Sequence, residues 1–229
     1  MQVTESKIIS DVRVAMDENA KITAFTGDDG TEVDTGTLEM EDIIRSKIAD
    51  GVNAIRKVAP LKLLEATRMT SEASVAEHHL VVKWLDEGKG IGEAELPDDF
   101  LRLVMFKMSD WTHAATTPIA ADTALYHQQF SEWKGVRGNP SRPNIAIATD
   151  TATGKNVIQF FSCGNTEATA ELLYIKRFSL EENTLETFYK IESAAYRAII
   201  LKIAALVAAT YANGDLAQLL NTMAQEALG

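Results

Sequence analysis

Residues 95–111, ELPDDFLRLVMFKMSDW, decide whether the middle of this chain reads as helix or strand. Two adjacent carboxylates, Asp98 and Asp99, follow Pro97, and an apolar run comes straight after them. Proline fixes φ and has no N–H to satisfy, so it suits the start of a turn. Asp98 or Asp99 then caps a single helical turn, and Phe100 turns inward. From Leu101 to Met108 the run is apolar except for Arg102 and Lys107, which predicts a strand with apolar groups on both faces. Pro97, Asp98, Asp99 and Phe100 are therefore expected to form a structural turn. A metal-binding or catalytic reading of the pair is weaker. Neighbouring side chains on a strand face opposite sides, and no Glu-x-Lys follows at nuclease spacing.

Around this strand the helical period fades between residues 79 and 164. Short apolar runs replace it: LVVKWL (80–85), NIAIAT (144–149), NVIQFF (156–161) and LLYIKRF (172–178). TATGKN (151–156) reads as a hairpin turn between two of them. TALYHQQFSEW (123–133) reads as a short helix that interrupts them.

Both ends of the chain carry the helical period. Ile8, Ile9, Val12 and Met16 make one stripe, with Thr4 as its N-cap. Ile44, Ile48, Val52 and Ile55 make a second, with Thr37 as cap, Glu39 and Glu41 near its positive end, and Pro60 as its stop. Gly51 within it costs about 1 kcal/mol against alanine. Leu185, Phe188, Tyr189, Glu192, Ala195, Tyr196, Ile199 and Ile203 continue the pattern near the C-terminus. Asn213-Gly214 reads as a C-cap, and Leu216, Leu219, Leu220 and Met223 stripe a last helix. The expected fold is α+β and mainly α. It is a helical bundle of residues 1–64 and 179–229 with an inserted β-rich domain at 65–178.

Composition bounds the function. A chain of 229 residues with 46% hydrophobic and 24% charged content is an ordinary globular composition. Its formal charge of −11 excludes nucleic-acid binding through a broad cationic surface. The single cysteine, Cys163, excludes an intrachain disulfide. The N-terminal stretch lacks the basic-then-apolar order of a signal peptide. The apolar run IILKIAALVAATYA (199–212) is shorter than the ~20 residues of a bilayer span and contains Lys202, so no membrane contact is expected.

The remaining candidates each have a plainer reading. Val33-Asp34-Thr35-Gly36 looks like an aspartic protease loop, but such an enzyme needs two aspartates sharing a proton, and only one triplet occurs. His78 and His79 are adjacent and point apart, and His113 and His127 are not at helical i, i+4 spacing, so no metal site is expected. Nothing near Cys163 would lower its pKa. GKGIG (88–92) lacks the Gly-Lys-Ser/Thr of a P-loop and fits a hairpin. Lys134, Arg137 and Arg142 form a small basic cluster on a solvated loop.

LPDDFLRLVMFKMSDW (96–111) resembles the turn and strand of head–tail connector proteins of short-tailed phages, closest to the ring proteins of crAss-like phages. KIISDVRVAMDE (7–18), MEDIIRSKIADGVNAIRKVAP (40–60), RGNPSRPNIAIA (137–148), FFSCG (160–164) and the long aromatic C-terminal helix follow in the same order. The resemblance runs along most of the chain, and order and spacing carry it.

The resemblance implies an adaptor, a ring that is commonly dodecameric, placed beneath the portal protein. It would extend the DNA channel and dock other tail or ring proteins, with DNA passing through the lumen without specific binding. The place would be the virion head–tail junction, after assembly in the host cytoplasm. No catalytic residue, cofactor or metal belongs to that pattern. Leu216, Leu219, Leu220 and Met223 are then the expected contact with the portal or a neighbouring copy. The loops at 27–36 and 135–143 are the expected contacts with the next tail component. The alternative is a small cellular ligand- or protein-binding module without catalysis. An enzyme using Asp98, Asp99 and His113 is a further rival.

Overall fold

The computed structural model describes residues 1–16, 35–72, 79–151, 153–180 and 188–229. In chain order the elements are β1 (Gln2–Thr4), α1 (Glu5–Ala15), α2 (Thr35–Val58), β2 (Thr67–Thr70), β3 (Val82–Asp86), β4 (Ile91–Glu95) and β5 (Phe100–Met108). They continue as α3 (Ala124–Gln128), β6 (Asn144–Thr149), β7 (Asn156–Phe161), β8 (Ala170–Lys176), β9 (Phe188–Lys190), α4 (Tyr196–Thr210) and α5 (Gly214–Glu226). The chain divides into two compact units. One joins Met1–Glu65 to Arg177–Gly229, and the other is Ala66–Lys176.

The expectation of a mainly α fold, a helical bundle with an inserted lobe, is overturned. The protein is mixed, 38% helix and 27% strand, with five α-helices and three sheets among the described residues. The first unit itself contains a sheet. Strand β1 pairs antiparallel with β9, Val3 opposite Tyr189. Residues 188–190 fit a helical stripe by spacing, yet the edge offered by β1 takes them as strand. Three-residue strands are too short to show an alternating pattern, and their partner lies far away in sequence. Leu185, also assigned to that stripe, lies outside the described residues.

Helix α1 starts as its sequence dictates, with Thr4 Oγ1 accepting from the Lys7 N–H at 3.2 Å. Ile8 and Val12 of α1, Ile44, Ile48 and Val52 of α2, and Ile199, Ile203 and Val207 of α4 are fully buried in one core. Each such side chain contributes about 1.5–3 kcal/mol of burial. That offsets the cost of Gly51, and the glycine has a reason to be there. A Cβ at that position would collide with Ile203 Cγ1 of α4.

Polar groups close the unit's margins. Glu5 accepts from Tyr189 Oη at 2.7 Å and from Arg45 Nε at 2.6 Å. Burial pushes the Glu5 carboxyl up, but these hydrogen bonds and the Arg45 charge outweigh it and hold it below its ordinary value. Asn53 reads the backbone of Phe178 in both directions, donating to its carbonyl at 3.0 Å and accepting from its N–H at 2.8 Å. Arg56 and Glu192 form a nearly buried ion pair at 2.8 Å.

The C-cap reading of Asn213-Gly214 is also corrected. Ala212 takes the left-handed conformation, φ 57°, and Asn213 caps the start of α5 by accepting from the Leu216 N–H at 3.2 Å. The apolar segment is longer than the sequence reading held. Ser193–Thr210 has the length and hydropathy of a membrane span, and 56% of it is buried inside the protein.

The second unit holds two antiparallel sheets, ordered β3-β4-β7-β6 and β2-β8-β5. They share one core, in which Phe106 of β5 stacks on Phe160 of β7 with centroids 5.8 Å apart. Strand β5 carries two register shifts, between Phe100 and Arg102 and between Leu103 and Met105. Such irregularities re-aim side chains, which accounts for a run without strict alternation. The β6–β7 hairpin closes through Asp150 N–H to Lys155 O at 2.8 Å, with Gly154 at φ 70°.

Candidate functional site

The turn at Pro97–Phe100 is structural in its details. The Phe100 N–H donates to Pro97 O at 2.9 Å, closing a single β-turn. Neither aspartate caps a helical turn as expected from sequence. Asp99 instead accepts from Tyr174 Oη at 2.9 Å and pairs with Lys176 Nζ at 3.1 Å. Burial, then the Asp99 contact, pushes the Tyr174 hydroxyl pKa well up, so it stays a proton donor. Phe100 stacks on the Tyr174 ring, centroids 5.8 Å apart. Asp98 is exposed.

The other chemical candidates stay apart. Among the described residues no three His, Cys, Asp or Glu side chains gather as a metal site. His79, His113 and His127 are exposed, and His78 and Asp34 lie outside the described residues. Cys163 is buried, its thiol facing Asp110 Oδ1 and Asn165 O, each at 3.2 Å. Burial pushes its pKa up to about 12, the reverse of what a nucleophile needs. Gly90, φ 66°, lies where a Cβ would collide with Cys163 O, so the GKGIG hairpin is glycine-rich for packing.

The predicted stripe on α5 divides. Leu220 is 2% exposed and belongs to the core; Leu216 and Met223 are half-buried against it. Leu220 is therefore corrected from contact residue to intramolecular core. Leu219 alone points out, 57% exposed. The outer face of α5 runs Asp215, Leu219, Thr222, Glu226 at i, i+4, i+7, i+11 and carries no basic residue. Beside it, a cleft of about 390 Å³ is lined by α2, α4 and α5, where Lys202 Nζ donates to Asn221 Oδ1 at 2.7 Å.

The expected contact loop at 135–143 belongs to a larger pinned segment in the second unit. Gln129 is fully buried. Its Nε2 donates to Leu125 O at 2.8 Å, and its Oε1 accepts from the Gly138 N–H at 2.8 Å and Asn144 Nδ2 at 3.2 Å. Trp133 N–H donates to Ser131 Oγ at 3.1 Å, and Val136 N–H to Trp133 O at 3.2 Å. Lys89 pairs with Glu132, and Arg137 donates to Lys89 O at 3.3 Å. The backbone is held at Phe130, Ser131, Trp133, Val136 and Gly138, yet Trp133 is 79% exposed, with Val136 exposed beside it in sequence and Phe130 partly exposed against Tyr126 and Phe161. Lys134 and Arg142 are exposed and pair with no carboxylate among the described residues. The other expected contact loop, at 27–36, has residues 27–34 outside the described part of the chain.

The sequence reading missed Gln129 and Trp133. Trp133 was legible as an aromatic in a polar loop, but its exposure depends on the pinning, which no local pattern encodes. No family model matches this sequence, and no curated protein matches it.

Proposed function

We propose that this chain is a virion structural protein, an adaptor ring at the head–tail junction that sits beneath the portal, extends the DNA channel and docks tail components. The reading rests on the resemblance of its ordered segments to phage connector proteins. That resemblance is the observation that carries it. Leu219, 57% exposed on a helix whose other face is in the core, is compatible with a contact and is the position the reading puts there. The charge of −11 suits a channel through which DNA slides.

Two measurements test this. Sequencing the DNA that flanks the gene should find genes for a portal, a terminase or a major capsid protein; a metabolic or regulatory operon would sink the adaptor reading. In a phage carrying Leu219→Asp, the chain should stay folded but be missing from particles, because position 219 lies outside the core. Normal incorporation would remove Leu219 from the contact.

A ligand-binding module is the second reading, favoured by the cleft beside Lys202. Its size lies within the ~300–1,000 Å³ of small-molecule sites. A small-molecule screen followed by chemical-shift mapping, with shifts confined to α2, α4 and α5, would support it.

A further inference from the structure

We infer that the Trp133 loop of one copy docks on the outer face of α5 of a second copy, making a head-to-tail contact. This deepens the adaptor reading and rests on it for the ring that such contacts would close.

The two surfaces match in chemistry. The loop presents Trp133, with Val136 exposed beside it in sequence and the exposed cations Lys134 and Arg142 nearby in sequence, while the partly exposed Phe130 ring is held against Tyr126 and Phe161. The α5 face presents Leu219 between the carboxylates of Asp215 and Glu226, with no cation on the helix. Apolar meets apolar, and plus meets minus. In a chain of net charge −11 the loop is a local basic exception, so it is repelled least, and attracted most, by an acidic face such as α5. Neither surface matches itself, since two basic loops or two acidic helices would repel. The contact is therefore heterologous, the kind that builds rings or filaments.

Tryptophan on a backbone that is already held makes a strong anchor. Interface hot spots are enriched in Trp, and ordering the loop costs little because Gln129, Ser131 and Arg137 have ordered it beforehand.

Sedimentation velocity of the purified full chain from micromolar to millimolar concentration tests the pairing. Wild type should form oligomers that grow with concentration and shrink with added salt. Trp133→Ala and Leu219→Asp should each stay folded by circular dichroism and self-associate about tenfold or more weakly. An equimolar mixture of the two should form dimers and stop there, because Trp133→Ala keeps an intact α5 face and Leu219→Asp an intact loop.

If either variant associates as wild type does, the surface it alters is not the contact. If the mixture stays monomeric, the two surfaces are not partners. A wild type that stays monomeric throughout overturns the second copy as occupant. The adaptor reading itself is then still decided by gene neighbourhood and particle incorporation.

Discussion

The turn at Pro97–Phe100 and the loop at 130–137 are built from similar parts and end differently. Each has a backbone hydrogen bond closing a tight turn, a charged residue in an ion pair, and aromatics close by. In the first, Phe100 stacks on Tyr174, and Asp99 is taken by Tyr174 and Lys176. In the second the backbone is as firmly held, but Trp133 stays in water. A rigid backbone with a satisfied side chain is architecture. A rigid backbone with a free aromatic is presented surface. The same contrast recurs within one turn of α5, between Leu220 and Leu219.

The sharpest way to break the contrast is at Leu220. Leu220→Asp places a carboxylate among apolar side chains and should cost more than about 4 kcal/mol, unfolding the first unit. Denaturant titration measures it, and a small change would mean the two leucines are equivalent. Next is Gln129→Leu, which leaves the Gly138 N–H and the Leu125 carbonyl without their partner. We expect a loss of about 1–3 kcal/mol in urea melts, together with faster hydrogen exchange at residues 130–138. Exchange that does not change would show that Gln129 does not pin the loop.

Asp99→Ala removes the Tyr174 hydrogen bond and a half-exposed ion pair, and should cost about 1 kcal/mol by the same assay. Glu5 adds a pH signature to the first unit. Its pKa is depressed in the folded state, so its contribution is complete above the ordinary value of 4.5 and is lost as pH falls through the lower folded value. Tyr189→Phe should make the acid limb of stability against pH shallower. An unchanged limb would remove Glu5 from the account. The smallest effect belongs to Trp133→Ala, which should change stability by no more than about 0.5 kcal/mol. A larger loss would make Trp133 part of the architecture and end the comparison.

Much of the fold was legible locally. The stripes of α1 and α2, the Thr4 cap, the TATGKN hairpin and the strand after Pro97 follow from residues a few positions apart. The β1–β9 pair was not legible, because Val3 meets Tyr189 only in space. The aspartate cap was misread because Tyr174 and Lys176, distant in sequence, compete for Asp99 more effectively than the neighbouring backbone does. The Asn213 cap was assigned to the wrong helix because one residue can end α4 or begin α5, and the left-handed turn at Ala212 decides between them.

By itself the sequence determined the stripes of α1 and α2, the Thr4 cap, the TATGKN hairpin, and that its charge suits no broad nucleic-acid surface. Periodicity and capping are short-range, so a linear reading captures them. Only the tertiary structure decided which apolar side chains stay outside. Leu219 and Leu220 are identical in chemistry and adjacent in the chain. What separates them is a core assembled from α1, α2 and α4, and that core exists only after distant segments have packed.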